Sequence, residues 1–278
     1  MTCKSIKICV VSSKGGTGKT TTVANLAGLL ADLGHRVLMI DADVQPSLSA
    51  CFALQARAEG GLAELIIAAD CERTISATVH PDLELVRSND PKGDLRTWIL
   101  HQVDGRVRLK HVLERIEDRY DFIVLDTQGA IGPLQDAAVA AADLLLSPIS
   151  PDIISSREFL RGTLGMLEHL RPLARYDAPV GHLYGFINKM QRTNDARSVV
   201  QALRQEVFAP SRGDISILDT VVPEAVAYRE AVTQGVPVHR WRPARPVAPD
   251  AHPRATMLAL VRELLPHVQT ERFRSDLN

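Results

Sequence analysis

The sequence has few of the features that mark secreted, metal-binding and membrane-spanning chains. It contains four cysteines in 278 residues and no C-x-x-C pair, so a zinc or iron–sulfur site and a disulfide framework are not expected. Its N-terminal apolar stretch, residues 6–11, is too short for the core of a signal peptide. No segment approaches the roughly 18 apolar residues that cross a bilayer. These absences predict a cytoplasmic protein with reduced thiols and no membrane contact.

An excess of charge of one sign is also lacking. The chain has 32 Lys and Arg residues against 33 Asp and Glu residues, a formal net charge of −1. The molecule as a whole is therefore not a basic nucleic-acid binder, and any attraction to DNA must come from local patches. Its hydrophobic fraction of 45% allows a substantial core.

Length and composition favour one domain over residues 1–278 rather than two smaller ones. No internal repeat or low-complexity linker interrupts the chain. The two departures from average composition are a Pro/Arg-rich segment at 237–254 and a polar tail at 269–278.

Apolar runs and helical patterns alternate along the chain. Runs that suit buried strands lie at 6–12, 36–41, 83–87, 122–126, 144–149, 183–188 and 220–222. Helical stretches between them include 20–33, 107–119 and 155–173. This alternation predicts an α/β fold, a doubly wound, mostly parallel sheet with helices on both faces.

The strongest chemical signal is the stretch SSKGGTGKTT at residues 12–21, here called the phosphate loop. A glycine-rich turn between a strand and a helix directs backbone N–H groups at an anion. Lys19 is placed to reach the β and γ phosphates of a nucleotide, and the Thr20 hydroxyl to ligate Mg²⁺. The loop departs from G-x-x-x-x-G-K-[ST] because Ser13 replaces the first glycine and a second lysine, Lys14, follows. The predicted nucleotide-binding residues here are Gly15, Gly16, Thr17, Gly18, Lys19, Thr20 and Thr21.

Acidic residues follow two of the predicted strands. Asp126 ends the apolar strand 122–125, and Asp41 and Asp43 follow the strand 37–40. Ligands of doubly wound sheets bind at the carboxyl ends of the strands. A carboxylate there suits a Mg²⁺-bound water in phosphoryl transfer.

Three motifs together carry a resemblance to a known family. They are K-G-G-x-G-K-T-T at 14–21, D-x-D-x-Q at 41–45 and the apolar strand that ends in D-T at 126–127. In this order they resemble the ParA/MinD family of deviant-Walker ATPases, and within it the ParA/Soj partition ATPases, over residues 5–240. The resemblance implies a P-loop NTPase fold, ATP and Mg²⁺ as cofactors, weak Mg²⁺-dependent ATP hydrolysis and an ATP-dependent sandwich homodimer.

The resemblance also implies residue roles. Lys14 corresponds to the family's signature lysine, which contacts the nucleotide held by the other protomer. Asp43 would position the attacking water, and Asp41 would support the magnesium shell. Asp126 would be the Walker B acid. The implied catalytic set is Lys14, Lys19, Asp43 and Asp126, and the implied metal set is Thr20, Asp41 and Asp126. Loops 41–47 and 126–132 would respond to the γ-phosphate as switches.

The base site is implied by two further matches. Asn188 corresponds to the family's base-reading asparagine at a strand end, although it also suits a turn residue that ends a strand. Pro223 and Glu224 match the segment whose backbone packs against the base. The chain departs from the family's D-x-P-P with Thr127-Gln128-Gly129 after Asp126, and from D-x-D-P-Q with its proline displaced to Pro46. Neither change removes a catalytic group, but both leave the switch contacts open.

The distribution of cysteines and C-terminal apolar residues separates the relatives. Iron–sulfur relatives need cysteines after the Walker B strand, and this chain has none after Cys71. MinD-like relatives need a basic amphipathic anchor. Residues 256–265 have helical apolar spacing, but Pro266 and a polar tail follow. Packing in the core is therefore favoured over a membrane anchor.

Non-specific binding of double-stranded DNA by the ATP dimer is implied by the resemblance. The candidate DNA-binding residues are Arg229, Arg240, Arg242, Arg245 and Arg254. The alternative for the Pro/Arg-rich segment is a solvated connector. A second candidate patch consists of Lys189, Arg192 and Arg197. Because the phosphate loop begins so early, an N-terminal helix-turn-helix domain is not expected.

The leading hypothesis is an ATP-dependent DNA segregation ATPase of the nucleoid, as in plasmid or mobile-element maintenance. Its DNA-bound dimer would be released by hydrolysis that a ParB-like centromere-binding partner stimulates. The alternative is a MinD-like or cargo-positioning regulatory ATPase that does not bind DNA. A nucleotide switch with negligible turnover is a third hypothesis.

Overall fold

A computed structural model of the chain describes residues 4–209, 213–243 and 252–272. Within these residues one sheet has nine strands in the order β3-β4-β5-β2-β6-β1-β7-β8-β9. The strands are β1 (Ile6–Val10), β2 (Val37–Ala42), β3 (Leu54–Ala56), β4 (Ile75–Thr78), β5 (Leu83–Val86), β6 (Phe122–Thr127), β7 (Leu144–Ile149), β8 (His182–Met190) and β9 (Ile215–Pro223). The seven strands from β5 to β9 in that order are parallel, and β3 and β4 form an antiparallel edge.

Helices cover both faces of the sheet. They are α1 (Lys19–Asp32), α2 (Leu62–Ala68), α3 (Asp94–His101), α4 (Gly105–Glu114), α5 (Pro133–Ala140), α6 (Ile153–Glu158), α7 (Leu164–Leu170), α8 (Asn194–Ala202), α9 (Val226–Gln234) and α10 (Pro253–Leu264). A π-helical turn, Phe159–Thr163, joins α6 to α7. None of the described helices combines the length and apolar character needed to traverse a bilayer.

The alternation of side chains along β1 shows the two layers. Ile8 and Val10 pack in a core with α1, α9 and α10, whereas Cys9 and Val11 pack in a core with α2 to α5. Because both faces are buried, the central strands are apolar without a polar alternation. The predicted doubly wound, mostly parallel sheet is confirmed. The C-terminal helix α10 packs in the first of these cores through Met257, Leu260 and Val261.

The antiparallel edge was not predicted. β3 has three residues with no buried member, and β4 alternates buried and partly buried positions over four residues. Neither segment has a mostly apolar run like those that indicated the central parallel strands. The predicted helix 155–173 is also divided, into α6, the π-helical turn, α7 and a 3₁₀ segment, Arg171–Tyr176.

The register of the central strands determines where polar groups meet. Val10 of β1 pairs with Asp126 of β6, and Asp126 pairs with Asp41 of β2. The phosphate loop leaves β1 immediately after this level, at the carboxyl edge of the sheet. The loop and the two acids therefore share one crevice, as expected for a ligand site in such a sheet.

Candidate functional site

The conformation of the phosphate loop depends on its glycines. Gly16 and Gly18 have φ angles of +77° and +99°, and Gly18 is the N-cap of α1. A Cβ added at Gly18 would lie 2.4 Å from the Asn188 Nδ2 atom. The backbone angle and the close approach both require glycine here. The loop thus delivers the N-terminus of α1 to the crevice, where its N–H groups can meet an anion.

Lys19 places a buried cation within this loop. Only 7% of the residue is exposed, and its Nζ donates to the Lys14 carbonyl oxygen at 3.1 Å. Burial lowers the pKa of Lys19, while the charges of Asp126 and Asp43 oppose the change. The ammonium is therefore held at the centre of the loop, where the β and γ phosphates of a nucleotide would neutralise it.

Asp41 and Asp126 are fully buried beside Lys19. Burial raises the pKa of Asp126 to about 7, and the Thr20 hydroxyl beside it opposes the rise. The pKa of Asp41 is raised to about 6 by burial. Its Oδ2 accepts hydrogen bonds from the Ser49 backbone N–H and hydroxyl, both at 2.7 Å. Its Oδ1 accepts none from the residues that the structure describes.

These groups fit a Mg²⁺ ion bound together with a nucleotide. A hard cation prefers carboxylate and hydroxyl oxygens, and Mg²⁺ usually completes its shell with water and substrate phosphates. The buried carboxylates of Asp41 and Asp126 and the nearby Thr20 hydroxyl supply such oxygens. In the described part of the chain no cluster of three His, Cys, Asp or Glu ligands occurs, which is consistent with an ion that needs phosphate ligands as well.

Asp43 lies on the accessible side of these acids. It is partly exposed, and its Oδ1 accepts a hydrogen bond from the Gln45 N–H at 3.0 Å. Its carbonyl oxygen accepts one from the Ser88 hydroxyl at 2.5 Å. The negative charge of Asp43 also raises the pKa of Lys19. The two charged groups therefore lie close enough to interact. Because it is partly exposed, the Asp43 carboxylate can also accept a hydrogen bond from a water molecule near Lys19.

The loop after β6 contacts the phosphate loop through backbone atoms. Thr127 donates from its hydroxyl to the Val10 carbonyl oxygen at 2.8 Å. A Cβ added at Gly129 would lie 2.7 Å from the Gly15 Cα atom and 2.9 Å from its nitrogen. A side chain at position 129 would therefore push the two loops apart. The glycine that replaces the family's proline allows this direct contact, a reason that the sequence alone did not show.

Lys14 is held by residues of its own chain. Its Nζ donates to the Ser155 Oγ at 2.8 Å and lies 3.7 Å from the Asp152 Oδ1. Asp152 is the N-cap of α6 and accepts from the Ser155 N–H at 2.8 Å. An Asp three positions before a Ser after β7 is typical of such a cap. The contact of this cap with Lys14 is not visible in the sequence. The lysine must leave these partners before it can contact another protomer.

The same helical region also fixes Ser13, which replaces the usual glycine. The Ser13 N–H donates to the Thr163 hydroxyl at 3.2 Å, and its own hydroxyl donates to the Glu158 carbonyl oxygen at 2.8 Å. Glu158 and Thr163 flank and end the π-helical turn that follows α6. π turns are frequent at functional sites. The phosphate loop is therefore fastened to α6 at two consecutive residues.

A cavity of about 600 Å³ extends from the phosphate loop between α1, β8, β9, α9 and α10. At its mouth the Asn188 Nδ2 donates to the Thr17 carbonyl oxygen at 2.7 Å. Lys189 has a φ of +59° and donates from Nζ to the Gly16 carbonyl oxygen at 2.6 Å. The end of β8 therefore supports the loop directly. One N–H of the Asn188 amide is used for this contact with the loop. Recognition of the base by Asn188 stays a prediction.

Pro223 and Glu224 also line this cavity, at the end of β9. The Glu224 N–H donates to the Met190 carbonyl oxygen at 3.0 Å, and its Oε2 accepts from the Gln191 Nε2 at 2.8 Å. The two strand ends are thus joined beside the cavity. The position of both residues agrees with the segment predicted to pack against a base.

The predicted DNA-binding arginines do not form one patch. Arg240 forms a bidentate ion pair with Asp32, whose side chain is 3% exposed. The buried carboxylate also accepts a hydrogen bond from the His239 Nε2 at 2.6 Å. Removing Arg240 would weaken the pairing of a buried charge, so its position corrects the assignment: the residue is structural.

The other candidates are distributed over the surface. Arg229 is exposed but lines the nucleotide cavity, and Arg242 is exposed. Arg254 donates from Nε to the His239 carbonyl oxygen at 3.3 Å. Arg245 lies outside the described residues. Arg192 and Arg197 of the second patch are exposed, whereas the Lys189 ammonium is bonded to the phosphate loop.

Comparison with known proteins supports the resemblance. A family model described as an AAA domain matches residues 5–170. The chain is 35% identical to a protein named replication protein A of Rhizobium rhizogenes, over 59% of this chain and 45% of that protein. It is 30% identical to the chromosome-partitioning ATPase Soj of Thermus thermophilus, over 87% of this chain and 90% of that protein. The chain spans about half the length of the replication proteins it matches.

The fold agrees with a solved structure. The ATP complex of an aspartate-to-alanine variant of Cyanothece McdA matches with a TM-score of 0.78 at 23% identity, covering 96% of this chain and 98% of that chain. The structure brings the phosphate loop after β1 beside the acids at the ends of β2 and β6. The comparisons show the likeness of the sequence and of the fold. The chain belongs to the ParA/MinD family of P-loop ATPases, within the AAA domain family.

Proposed function

We propose that this protein is an ATP-dependent DNA segregation ATPase. Its ATP-bound sandwich homodimer binds double-stranded DNA without sequence preference, and a ParB-like partner stimulates the hydrolysis that releases it. The observation that supports the proposal best is the second loop lysine. The Lys14 side chain is 33% exposed, and its ammonium contacts Ser155 and Asp152 rather than the loop. It can therefore contact phosphates from outside the protomer once it exchanges these two partners for them.

Within one protomer the residues have separate tasks. Lys19 and the loop N–H groups bind the β and γ phosphates, while Thr20, Asp41 and Asp126 hold Mg²⁺. The ion neutralises phosphate charge when it is bound. Asp43 orients the water that attacks the γ-phosphate, for which a positioned carboxylate is sufficient.

Between protomers, Lys14 makes dimerisation depend on the nucleotide. Two faces that carry ATP repel each other, and a lysine that crosses in each direction neutralises phosphate charge at the interface. The intramolecular contacts of Lys14 with Ser155 and Asp152 compete with this crossing. The γ-phosphate adds the charge that favours the crossed arrangement.

Lys14→Ala is expected to separate nucleotide binding from assembly. ATP affinity should stay near that of the wild type because Lys19 serves each protomer's own phosphates, whereas ATP-dependent dimerisation and turnover should be lost. Size-exclusion chromatography with light scattering, with ATP and Mg²⁺, measures the dimer. Lys92→Ala is the matched control because Lys92 is exposed and outside the site. Normal dimerisation of the Lys14 variant would exclude a cross-protomer role.

DNA binding should need ATP, and its affinity should depend on salt concentration as expected for contacts with phosphates. The logarithm of affinity should fall with the logarithm of salt concentration, with a slope of about −0.9 per phosphate contacted. Arg242→Ala should weaken binding to all sequences alike and flatten this slope. Arg240→Ala is the contrast, since it should lower thermal stability through Asp32. An unchanged slope for Arg242→Ala would indicate that the Pro/Arg-rich segment is a solvated connector. Arg192 and Arg197 would then be the next residues to replace.

The structural role of Arg240 favours a second candidate, a cargo-positioning ATPase without DNA binding. It removes one arginine from the expected DNA surface. Co-sedimentation of wild-type protein with DNA at low salt, with ATP or ADP, separates the two functions. Binding with ATP alone supports segregation, whereas no binding with either nucleotide favours the cargo-positioning ATPase.

A further inference from the structure

The nucleotide cavity contains a buried hydroxyl group that the chain does not satisfy. Tyr228 lies in the first turn of α9 and lines the cavity together with Phe186, Met257 and Leu260. Its Oη is shielded from solvent and has no hydrogen-bond partner among the residues that the structure describes. Burial raises the pKa of Tyr228 well above its ordinary value, with no charged neighbour contributing. The hydroxyl is therefore neutral and able to donate.

Two other polar side chains that line the cavity, those of Asn25 and Thr22, are bonded within the protein. Asn25 donates to the Thr21 carbonyl oxygen at 2.7 Å and accepts from the Val238 N–H at 2.6 Å. The Thr22 hydroxyl donates to the Gly18 carbonyl oxygen at 2.8 Å. Burying a hydroxyl without a hydrogen-bond partner costs free energy. A bound molecule that offered an acceptor would remove this cost.

The shape of the cavity indicates which part of a nucleotide Tyr228 meets. Gly18 and Thr21 of the phosphate loop line one part of the cavity, and the apolar side chains of Phe186, Met257 and Leu260 line another part of it with Tyr228. With phosphates on the loop, the base extends toward these apolar side chains. A purine suits this environment because its faces are apolar and its ring nitrogens accept hydrogen bonds.

We propose that Tyr228 is a specificity-determining residue that donates a hydrogen bond from its hydroxyl to a ring nitrogen of the purine base of ATP. The inference rests on the nucleotide site of the proposed function and names a residue that reads the base. It was not visible in the sequence, because an aromatic residue in a helix with an apolar face is ordinarily part of the core.

The test is Tyr228→Phe, which removes one oxygen and keeps the ring. ATP affinity should fall roughly 3- to 15-fold, the range of one hydrogen bond, while the melting temperature without nucleotide stays the same or rises. Isothermal titration with ATP and its 1-deaza, 3-deaza and 7-deaza analogues locates the acceptor. One analogue should bind wild type more weakly than ATP does, yet bind the variant as tightly as ATP. Tyr176→Phe, at a side chain 67% exposed, is the control.

Two results would overturn the inference alone. One is ATP affinity unchanged in Tyr228→Phe, which would show that the base accepts no hydrogen bond from this hydroxyl. The other is an equal loss for ATP and all three analogues, which would show a structural effect without a base contact. A wild-type protein that binds no ATP would overturn the nucleotide site itself, and with it the proposed function.

Discussion

Lys19→Ala is expected to lower ATP affinity roughly 10- to 150-fold, the range for a lost hydrogen bond to a charged group. The reason is the position of the ammonium, which is buried in the phosphate loop and bonded to the Lys14 carbonyl oxygen at 3.1 Å. Without it, the β and γ phosphates would lie near Asp43 and Asp126 with no neutralising side chain. Isothermal titration with ATP and Mg²⁺ measures the loss.

The folded state should survive this change. Burial lowers the pKa of Lys19, so the charged side chain is held at a cost that its removal relieves. The melting temperature without nucleotide should therefore stay near that of the wild type, and Lys92→Ala controls for the loss of one positive charge. ATP affinity within a factor of about two of the wild type, a few tenths of a kcal/mol, would refute the site.

Asp43→Ala is expected to keep ATP binding and lower turnover at least roughly 100-fold, as for a lost positioning group. Asp43 is partly exposed, unlike the two buried acids. Its Oδ1 accepts a hydrogen bond from a loop N–H, that of Gln45, at 3.0 Å. Its removal thus leaves the phosphate loop and the magnesium ligands intact. The variant should accumulate as a long-lived dimer with ATP.

Phosphate release measures the turnover of this variant, and light scattering measures its dimer. Asp126→Asn gives the contrast, since it changes a buried carboxylate that we propose to bind Mg²⁺, and it should weaken Mg²⁺-dependent binding as well as hydrolysis. Normal turnover of Asp43→Ala would assign water positioning to another residue. A monomeric variant in the presence of ATP would show that Asp43 acts in assembly.

The sequence predicted the parts of the fold that depend on local pattern. Mostly apolar runs indicated the seven parallel strands, although β9 only over residues 220–222 of Ile215–Pro223. The glycine-rich loop and the acids after two strands indicated one crevice. The antiparallel edge was missed because β3 and β4 are short and partly exposed. A short strand of this kind is stabilised by its neighbours in the sheet, which a local pattern does not contain.

Contacts between distant parts of the chain were not predictable in the same way. Arg240 and Asp32 are 208 positions apart, so a charge in a Pro/Arg-rich segment was interpreted as a surface charge. Two further contacts depend on how loops pack across the crevice. They are the contact of Gly129 with Gly15 and the hydrogen bond from Lys14 to Ser155. The roles of Lys14, Asp43 and Asn188 remain predictions until variants are measured.

Turnover of mixed variants tests the composite site most directly. Lys14→Ala retains its own Asp43 but offers no lysine to its neighbour, whereas Asp43→Ala offers Lys14 but cannot position water. A heterodimer of the two has one complete site, in the Lys14→Ala protomer. Each variant alone should be nearly inactive, and an equal mixture prepared before ATP is added should recover up to about one quarter of wild-type turnover per protomer, given random pairing in a two-fold dimer. A mixture no more active than the two separate variants would contradict a lysine that acts across the interface.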